Sequence, residues 1–153
     1  MEVNVITFHN GNILDSGADY ICHQVNCQGK MNSGVAKSIR ERWFEVYDWY
    51  TVRCNTLKND ALGSVQLVPV DGKIIINMFA QEYYGYDGKK YTSYDAFWSC
   101  LEEIKESVSV NEVIAFPARI GCVRGGANWN VILKMIEEVL GDYNVEIWDY
   151  DKG

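Results

Sequence analysis

Two glycine-containing stretches of the sequence carry the residue types that could hold an anionic ligand. Residues 21–36 begin as an apolar, β-branched run, pass through a loop with two glycines, and end in a helical pattern. A strand, a loop and a helix in that order place free backbone N–H groups and a helix N-terminus beside one strand end, and both favour an anion. Residues 113–129 repeat the plan with three glycines. Two such loops in one small α/β chain predict a cleft for a diphosphate.

The composition is that of one globular domain with a large apolar core. The 153 residues are 48% hydrophobic and 13% aromatic, which suits a single core and argues against a disordered chain. The formal net charge of −7 argues against a generic DNA- or RNA-binding surface, because such a surface needs clustered Lys and Arg. One nucleotide held by backbone amides remains compatible with this charge, since that kind of site needs no net positive charge.

The five cysteines are scattered and form no C-x-x-C pair, which indicates a reducing cytosol rather than a disulfide framework. They are Cys22, Cys27, Cys54, Cys100 and Cys122. The two histidines, His9 and His23, are too few and too scattered to complete a zinc site with them, so we expect no metal and no cofactor. The first residues lack the pattern of a signal peptide, and the apolar runs are too short to span a membrane. We therefore expect a cytoplasmic monomer with no membrane partner.

Hydrophobic patterns predict nine regular elements in the order β-β-α-β-β-α-β-α-β. The predicted strands are residues 3–8, 20–26, 65–70, 73–79, 113–116 and 145–148. Asp71-Gly72, between two apolar runs, is the sharpest turn signal and predicts a hairpin. Strands separated by helices usually pair in parallel through right-handed crossovers. The expected fold class is therefore α/β, a three-layer α/β/α sandwich with a central mixed sheet.

Three helices are predicted from apolar residues at helical spacing. The first begins at Val35 and continues, with room for a break, through residues 47–50; Thr92 or Ser93 caps the second, and Gly141 ends the third. The residues expected on the buried faces of the last two helices are Phe97, Leu101, Ile104 and Val108, and Val131, Ile132, Met135, Ile136, Val139 and Leu140. Residues 80–90 are expected to form a surface loop whose tyrosines either make a lid or face solvent.

The two glycine loops resemble those of macro domains. Residues 25–36 match the first ligand loop of that family: Val-Asn-Cys, a Gly two residues on, Met, and then Gly-Val-Ala. Residues 117–129 are similar to its phosphate loop, with Pro, Gly-Cys and a later Trp. The branch concerned contains ADP-ribose-1″-phosphate phosphatases, DNA ADP-ribosyl glycohydrolase antitoxins and terminal ADP-ribose protein glycohydrolase. The resemblance covers almost the whole chain and implies a single macro domain over residues 1–153 that binds ADP-ribose or a derivative, compatible with a bacterial or bacteriophage source.

The resemblance implies where each part of ADP-ribose lies. Gly11, Asn12 and Ile13 stand in place of the family's Gly-Asp-Ile, whose acid accepts a hydrogen bond from the adenine amino group; Asn12 keeps an acceptor without the charge. Asn26 is placed at the distal ribose and Tyr150 near the adenine, while the glycines allow close approach of the loops to the diphosphate. The implied ligand-binding residues are Gly11, Asn12, Ile13, Asn26, Met31, Asn32, Ser33, Gly34, Val35, Ala36, Ile120, Gly121, Cys122, Val123, Arg124, Gly125, Gly126 and Tyr150.

Departures from the family pattern bear on the chemistry. The glycohydrolases of this branch use a Lys shortly after the strand at residues 73–79, where this chain reads Ala-Gln-Glu, and one of them uses an Asp where this chain has Gly125. Neither Gln nor Gly supplies a nucleophile or base, so a lysine-assisted route is not favoured. His23 instead matches a His of the phosphatases and could move a proton near neutral pH. The resemblance thus favours an ADP-ribose-1″-phosphate phosphatase with His23 and Asn26 as catalytic residues. The alternatives are an ADP-ribosylhydrolase acting on protein or nucleic acid and a non-catalytic ADP-ribose reader.

Several assignments have a purely structural alternative. His23 could be a core histidine, because strand alternation places it opposite Asn26 unless a bulge intervenes. Asn26 could serve only as a turn former, and the glycines of residues 121–126 could serve only to shape a tight turn. Cys27 and Cys122 are favoured as small apolar filling over nucleophiles, since no paired base is visible.

Overall fold

A computed structural model describes residues 6–150 of the chain as six strands and four helices. The strands are β1 (Ile6–Asn10), β2 (Tyr20–Asn26), β3 (Val65–Val70), β4 (Lys73–Gln81), β5 (Val113–Pro117) and β6 (Asn144–Asp149). They form a sheet in the order β1-β6-β5-β2-β4-β3, in which β3 and β4 are antiparallel and all other neighbours are parallel. The predicted first strand is confirmed from Ile6 onward, and its residues 3–5 lie outside the described part of the chain.

The helices are α1 (Gly34–Arg42), α2 (Phe44–Leu57), α3 (Tyr94–Ser107) and α4 (Trp129–Leu140). The single helix predicted from Val35 is interrupted at Trp43, whose φ of −132° and ψ of 82° lie outside the helical region. Ser93 caps α3, because its hydroxyl accepts a hydrogen bond from the Ala96 N–H at 3.1 Å. Short 3₁₀ turns lie at Ile13–Asp15 and Lys58–Ala61.

Two apolar cores, one on each face of the sheet, make the fold a three-layer α/β/α sandwich, as predicted. One core lies under α3 and α4 and includes the fully buried Phe97 and Ile132. The other lies under α1 and α2 and includes the fully buried Ile39. Because successive side chains of β2 point to opposite faces of the sheet, this strand contributes to both cores: Cys22 lies in the first and Ile21 in the second. Within residues 6–150, no helix is long and apolar enough to cross a membrane.

The predicted hairpin between β3 and β4 is confirmed. Asp71 and Gly72 have φ values of 40° and 78°, and two positive φ angles in a two-residue turn are what a type I′ hairpin requires. The turn fixes the register of the two strands, so that Gln66 of β3 stands opposite Asn77 of β4. This register brings polar side chains together in the middle of the sheet.

Several details differ from the sequence-based prediction. The helical region expected to continue through residues 47–50 runs to Leu57, and β5 and β6 are each longer at their ends than predicted. β4 continues two residues beyond Phe79, because Gln81 pairs with Asn26 of β2 and bridges to Thr92. β1 ends at Asn10 because it pairs with β6 to the end of that strand. The predicted burial of Val131 in α4 is also wrong.

Val131 is 42% exposed. The core-facing row of α4 starts at Ile132, and its neighbour Val131 lies about 100° around the helix axis from it. The predicted burial of the α3 residues is confirmed, and these are Phe97, Leu101, Ile104 and Val108.

Candidate ligand-binding cleft

A cleft of about 610 Å³ opens at the carboxyl ends of the parallel strands. Its floor lies where β2 has β5 on one side and β4 on the other. In open α/β sheets, ligands bind at such a switch point, because the loops after two neighbouring strands diverge there. The loops after β2 and β5 and the segment between β4 and α3 form its walls.

Most of the residues predicted for the site line this cleft. They are Gly11, Asn12, Ile13, His23, Asn26, Asn32, Ser33, Gly34, Val35, Ala36, Ile120, Gly121, Val123, Arg124, Gly125 and Tyr150. Three predicted residues do not line it, because each is turned toward the protein. Met31 is 1% exposed in the core under α1 and α2, Cys122 packs against the opposite core, and Gly126 is covered by the backbone of Lys89 and Lys90.

The first wall is the N-terminus of α1. Gly34 begins the helix with a φ of 60°, a conformation that favours glycine. The first N–H groups of a helix have no intrahelical acceptor, and the Ser33 side chain makes no capping hydrogen bond to them. The amides of Gly34, Val35 and Ala36 therefore line the cleft as open donors at the positive end of the helix dipole.

Asn26 organises the loop between β2 and α1. Its Oδ1 accepts hydrogen bonds from the Gln28 N–H at 2.9 Å and the Tyr50 hydroxyl at 2.8 Å, and its Nδ2 donates to the Lys30 carbonyl at 2.9 Å. A shift in the β2–β4 register between Val25 and Asn26 accompanies this turn. Asn26 is therefore a turn former, and one of its two Nδ2 hydrogens has no acceptor among residues 6–150.

The second wall is the loop after β5. Arg119 has a φ of 62° and anchors the loop to β6 through two contacts with the Asp149 carboxylate, at 3.0 and 3.1 Å. Within residues 6–150, the N–H groups of Val123, Arg124 and Gly125 donate to no acceptor. A turn with several open amides of this kind is suited to an anion.

Two positions of this loop require glycine because side chains crowd beneath them. Gly121 has a φ of 76°, and a Cβ there would lie 2.7 Å from Oε1 of Gln24. A Cβ on Gly125 would collide with the Thr92 hydroxyl. These glycines do more than shape a turn, since they let the loop lie directly on the side chains of the cleft floor.

A hydrogen-bonded network under the second loop is absent from the sequence-based prediction. Gln24 Nε2 donates to Gln81 Oε1 and to Thr92 Oγ1, both at 2.7 Å. Gln81 Nε2 donates to the Tyr83 carbonyl at 2.7 Å, and the Thr92 hydroxyl donates to the Gly121 carbonyl at 2.8 Å. The network ties β2, β4 and the second loop together. The sequence contains one signal for this network, which is the presence of amide side chains near strand ends. Such side chains are too common to predict a network.

His23 lines the cleft but is 1% exposed. Its Nε2 lies 2.5 Å from Asn77 Oδ1, and its Nδ1 has no partner in the part of the chain that the structure describes. Burial lowers the pKa of His23 to about 4, outweighing the raising effect of the Asn77 hydrogen bond. The ring is therefore neutral at pH 7. It has a lone pair that can accept a proton, but the lowered pKa makes it a weaker base than an exposed histidine, and it is a poor general acid.

Cys27 and Cys122 are thiols at neutral pH. Burial raises the pKa of each to about 11. A thiol that stays protonated is a weak nucleophile, which agrees with the packing role favoured by the sequence. Among residues 6–150, no three His, Cys, Asp or Glu side chains are grouped so that they could hold a metal ion.

The far end of the cleft is formed by residues before the first 3₁₀ turn and by the end of β6. Asn12 Oδ1 accepts a hydrogen bond from the Leu14 N–H at 3.0 Å and so caps that turn. Trp148 lines the cleft beside Gly11, and Tyr150 is 70% exposed at the rim. Asn12 Oδ1, the acceptor that the resemblance assigns to the adenine amino group, thus already accepts one hydrogen bond from the backbone.

The segment between β4 and α3 covers one side of the cleft. Tyr84 and Tyr86 line it, and the guanidinium of Arg124 lies 4.5 Å from the ring centroid of Tyr86. The Tyr91 hydroxyl donates instead to the Asp87 carboxylate at 2.9 Å. Tyr84 and Tyr86 therefore flank the cleft and also face solvent, with 42% and 61% of their surface exposed.

The fold and the cleft define the class of this protein: a three-layer α/β/α domain with two glycine loops flanking the switch point of a mixed sheet. No protein-family profile matches the sequence, and no curated protein matches it. Solved structures do match it, over nearly its whole length.

A protein of unknown function from Bacteroides thetaiotaomicron has a TM-score of 0.83 and 26% identity, over 95% of this chain and 98% of that one. The macrodomain of Mycobacterium tuberculosis DarG has a TM-score of 0.80 and 22% identity, over 95% and 97%. Thermosipho africanus DarTG in complex with ADP-ribose has a TM-score of 0.77 and 18% identity, over 96% of this chain and 42% of that one. The chain therefore has the macrodomain fold, which confirms the resemblance carried by its two loops.

Proposed function

We propose that the cleft binds ADP-ribose or a derivative of it, with the diphosphate between the N-terminus of α1 and the loop after β5. The observation that carries the proposal is that open backbone N–H groups line one cleft from two sides, at residues 34–36 and at residues 123–125. The volume of about 610 Å³ is that of a small-molecule site. Thermosipho africanus DarTG, which shares the fold, is seen in complex with ADP-ribose.

Ligand-induced thermal stabilisation tests this proposal. ADP-ribose, ADP-ribose-1″-phosphate, NAD and ATP are each added at the same concentration. A ligand at about 100 times its Kd stabilises the native state by about 2.7 kcal/mol, which raises the Tm of a domain of this size by about 5–10 °C. We expect such a shift from the first two ligands and a much smaller one from NAD and ATP. Equal shifts from ATP and ADP-ribose, or no shift from ADP-ribose, would contradict the proposal.

A second candidate, hydrolysis of ADP-ribose-1″-phosphate, is favoured by the neutral ring of His23, whose Nδ1 is unpaired within the described residues that surround the cleft. In this reaction a water oxygen bonds to phosphorus and the P–O bond to the sugar breaks. His23 takes a proton from the water, and a solvent proton goes to the sugar oxygen, which gives ADP-ribose and inorganic phosphate. The backbone amides of the loops stabilise charge on the phosphoryl oxygens, and Asn26 orients the ribose through its remaining Nδ2 hydrogen.

Release of inorganic phosphate by wild type and His23→Ala tests the second candidate. A proton-transfer residue is worth about 10²–10⁴-fold, so we expect a loss of at least about 100-fold. His9→Ala, which changes the other histidine of the chain, is the matched control and should keep the wild-type rate. Equal rates in wild type and His23→Ala would remove His23 from the mechanism.

Removal of ADP-ribose from protein or nucleic acid is less well supported. Where the resemblance places a Lys of the glycohydrolases, shortly after residues 73–79, this chain has Ala-Gln-Glu. Of these, Gln81 is an amide that is hydrogen-bonded to Gln24 and to the Tyr83 carbonyl. Product analysis on ADP-ribosylated protein and nucleic acid would detect this activity. Tight binding of ADP-ribose without turnover of any of these substrates would select a non-catalytic reader.

A further inference from the structure

A line of buried polar side chains crosses three strands beneath α2. His23 of β2, Asn77 of β4 and Gln66 of β3 stand side by side in the sheet register, and they are 1%, 0% and 9% exposed. His23 Nε2 lies 2.5 Å from Asn77 Oδ1, and Asn77 Nδ2 lies 3.1 Å from Gln66 Oε1. Gln66 Nε2 lies 2.9 Å from the carbonyl of Trp49. Polar groups this deep are unfavourable unless each bond runs from a donor to an acceptor.

The Trp49 carbonyl, at the end of this line, determines which group donates and which accepts in every hydrogen bond along it. A backbone carbonyl can only accept, so Gln66 must present its Nε2 to Trp49, which leaves its Oε1 as an acceptor. Asn77 then donates through Nδ2, and its Oδ1 faces the ring of His23. That oxygen can also only accept, so His23 carries its proton on Nε2. Nδ1 is left unprotonated, with a lone pair.

A second unpartnered acceptor belongs to Gln24, whose side chain leaves the opposite face of β2 from that of His23. Both His23 Nδ1 and Gln24 Oε1 are buried at the cleft and have no hydrogen-bond partner among residues 6–150. The amide of Gln24 is also fixed in direction, because its Nε2 uses both hydrogens on Gln81 and Thr92. Two lone pairs do not suit a phosphoryl oxygen, which is itself an acceptor. They suit a ligand group that donates, such as a hydroxyl.

We propose that Gln66 and Asn77 are positioning residues that hold His23 in the Nε2–H tautomer, so that His23 Nδ1 accepts a hydrogen bond from a ribose hydroxyl group of the ligand. The identity of the sugar rests on the proposed binding of ADP-ribose, and this contact replaces the role of His23 in the second candidate function, where the same lone pair takes a proton from water. The tautomer rests on the hydrogen-bond line alone. The floor of the cleft thereby selects a sugar with free hydroxyl groups, and the diphosphate is left to the two loops.

Nitrogen-15 NMR of the histidine side chains measures the tautomer directly. The chain has two histidines, so His9→Gln leaves His23 as the sole histidine signal. At pH 7 we expect Nε2 to give the signal of a protonated nitrogen and Nδ1 that of an unprotonated one. The reverse pattern, or a doubly protonated ring, would overturn the proposal whether or not the protein binds ADP-ribose.

Variants of Gln66 test the positioning role. Gln66→Met removes the acceptor for Asn77 Nδ2. The Asn77 amide can then rotate by 180° and present either its oxygen or its nitrogen to His23, so we expect His23 to become a mixture of two tautomers. Gln66→Glu keeps an acceptor for Asn77 Nδ2, and its carboxyl group, protonated at this buried position, donates to the Trp49 carbonyl in place of Nε2. It is the matched control that retains the Nε2–H tautomer. Unchanged His23 signals in folded Gln66→Met would show that this line does not set the tautomer. If Gln66→Met fails to fold, the wild-type spectrum still decides the tautomer.

Titration with ADP-ribose tests the hydroxyl contact. On saturation the His23 Nδ1 signal should move in the direction of an accepted hydrogen bond. Gln66→Met should bind ADP-ribose about 3- to 10-fold more weakly than Gln66→Glu, as expected for one hydrogen bond. Calorimetric binding with an unmoved Nδ1 signal would overturn the contact. Absence of calorimetric binding would overturn the proposed function and the ribose contact with it, while the tautomer assignment would stand.

Discussion

Asn26 fixes the shape of the first loop before any ligand binds. Its hydrogen bonds with the Gln28 N–H, the Tyr50 hydroxyl and the Lys30 carbonyl close the turn after β2. Because this turn sets where α1 begins, a ligand meets amide donors that are already in place, which lowers the entropic cost of binding. Stability and affinity should therefore fall together when Asn26 is changed.

Asn26→Ala is expected to lower the free energy of unfolding by about 2–3 kcal/mol, because it leaves polar groups of the loop unpaired. Asn26→Asp is the matched control: it keeps the Oδ1 acceptor, loses the donor to Lys30, and should cost about 1 kcal/mol. Urea denaturation at pH 7 measures both values. An Asn26→Ala protein of wild-type stability would show that the side chain serves the ligand alone.

His23 should make stability depend on pH just below neutrality. Burial lowers its pKa from 6.5 to about 4, so the unfolded chain takes up a proton in this range that the native state does not. The stability that the neutral ring contributes is therefore complete above pH 6.5 and is lost as the pH falls toward 4. The full effect is about 3 kcal/mol.

Urea unfolding of wild type and His23→Gln between pH 7 and pH 5 measures this effect. His23→Gln keeps a donor for Asn77 but has no proton to gain, so it should lose less stability on acidification. Parallel curves for the two proteins would show that His23 is not held neutral by the fold.

Site residues could be predicted from the sequence, but their partners could not. His23 and Asn26 follow from the strand-and-loop pattern of residues 21–36, which is local. Asn77 reaches His23 across 54 positions and Tyr50 reaches Asn26 across 24. These contacts depend on the register of β2 with β4 and on how α2 packs, and neither is encoded by a local pattern.

Among the elements, the loop after β5 can be tested with a matched pair of glycines. Gly121 and Gly29 have φ values of 76° and 78°, so alanine strains the backbone equally, by about 1–2 kcal/mol. A Cβ at Gly121 would lie 2.7 Å from Gln24 Oε1, whereas nothing lies within 4 Å of one at Gly29. Gly121→Ala should therefore weaken ADP-ribose binding at least about 10-fold, which is about 1.4 kcal/mol, and Gly29→Ala should not. Equal losses in calorimetry would assign the effect to backbone strain alone.

Elements with a strong local signal were predictable, and their ends were less so. The turn at Asp71-Gly72 needs two positive φ angles, and the residue types alone indicate it. The extra length of β4 comes from pairing of Gln81 with Asn26 and Thr92, which belong to other elements. Strand ends of this kind are decided by the partner and not by the strand's own sequence.

At the scale of the whole molecule, the cleft exists because the sheet brings together two loops that are far apart in the sequence. β2 and β5 are neighbours although β3, β4 and α3 lie between them along the chain. The alternation of strands and helices predicted the parallel pairing and the layers, but the strand order that makes β2 and β5 neighbours was not part of that prediction. The path of the segment that carries Tyr84 and Tyr86 was not predictable. Tertiary contacts with residues distant in the sequence, such as the one between Arg124 and Tyr86, determine that path.

The central claim is that main-chain amides from two loops hold a diphosphate in one cleft. Isothermal titration calorimetry with ADP-ribose and with adenosine, which lacks the diphosphate and the second ribose, tests it most directly, and ADP is the control that adds the diphosphate alone. Two charge-assisted amide contacts contribute about 3 kcal/mol together, so we expect one molecule of ADP-ribose to bind per chain at least about 100-fold more tightly than adenosine. Equal affinity for the two ligands, or no heat with ADP-ribose at millimolar concentration, would contradict the account.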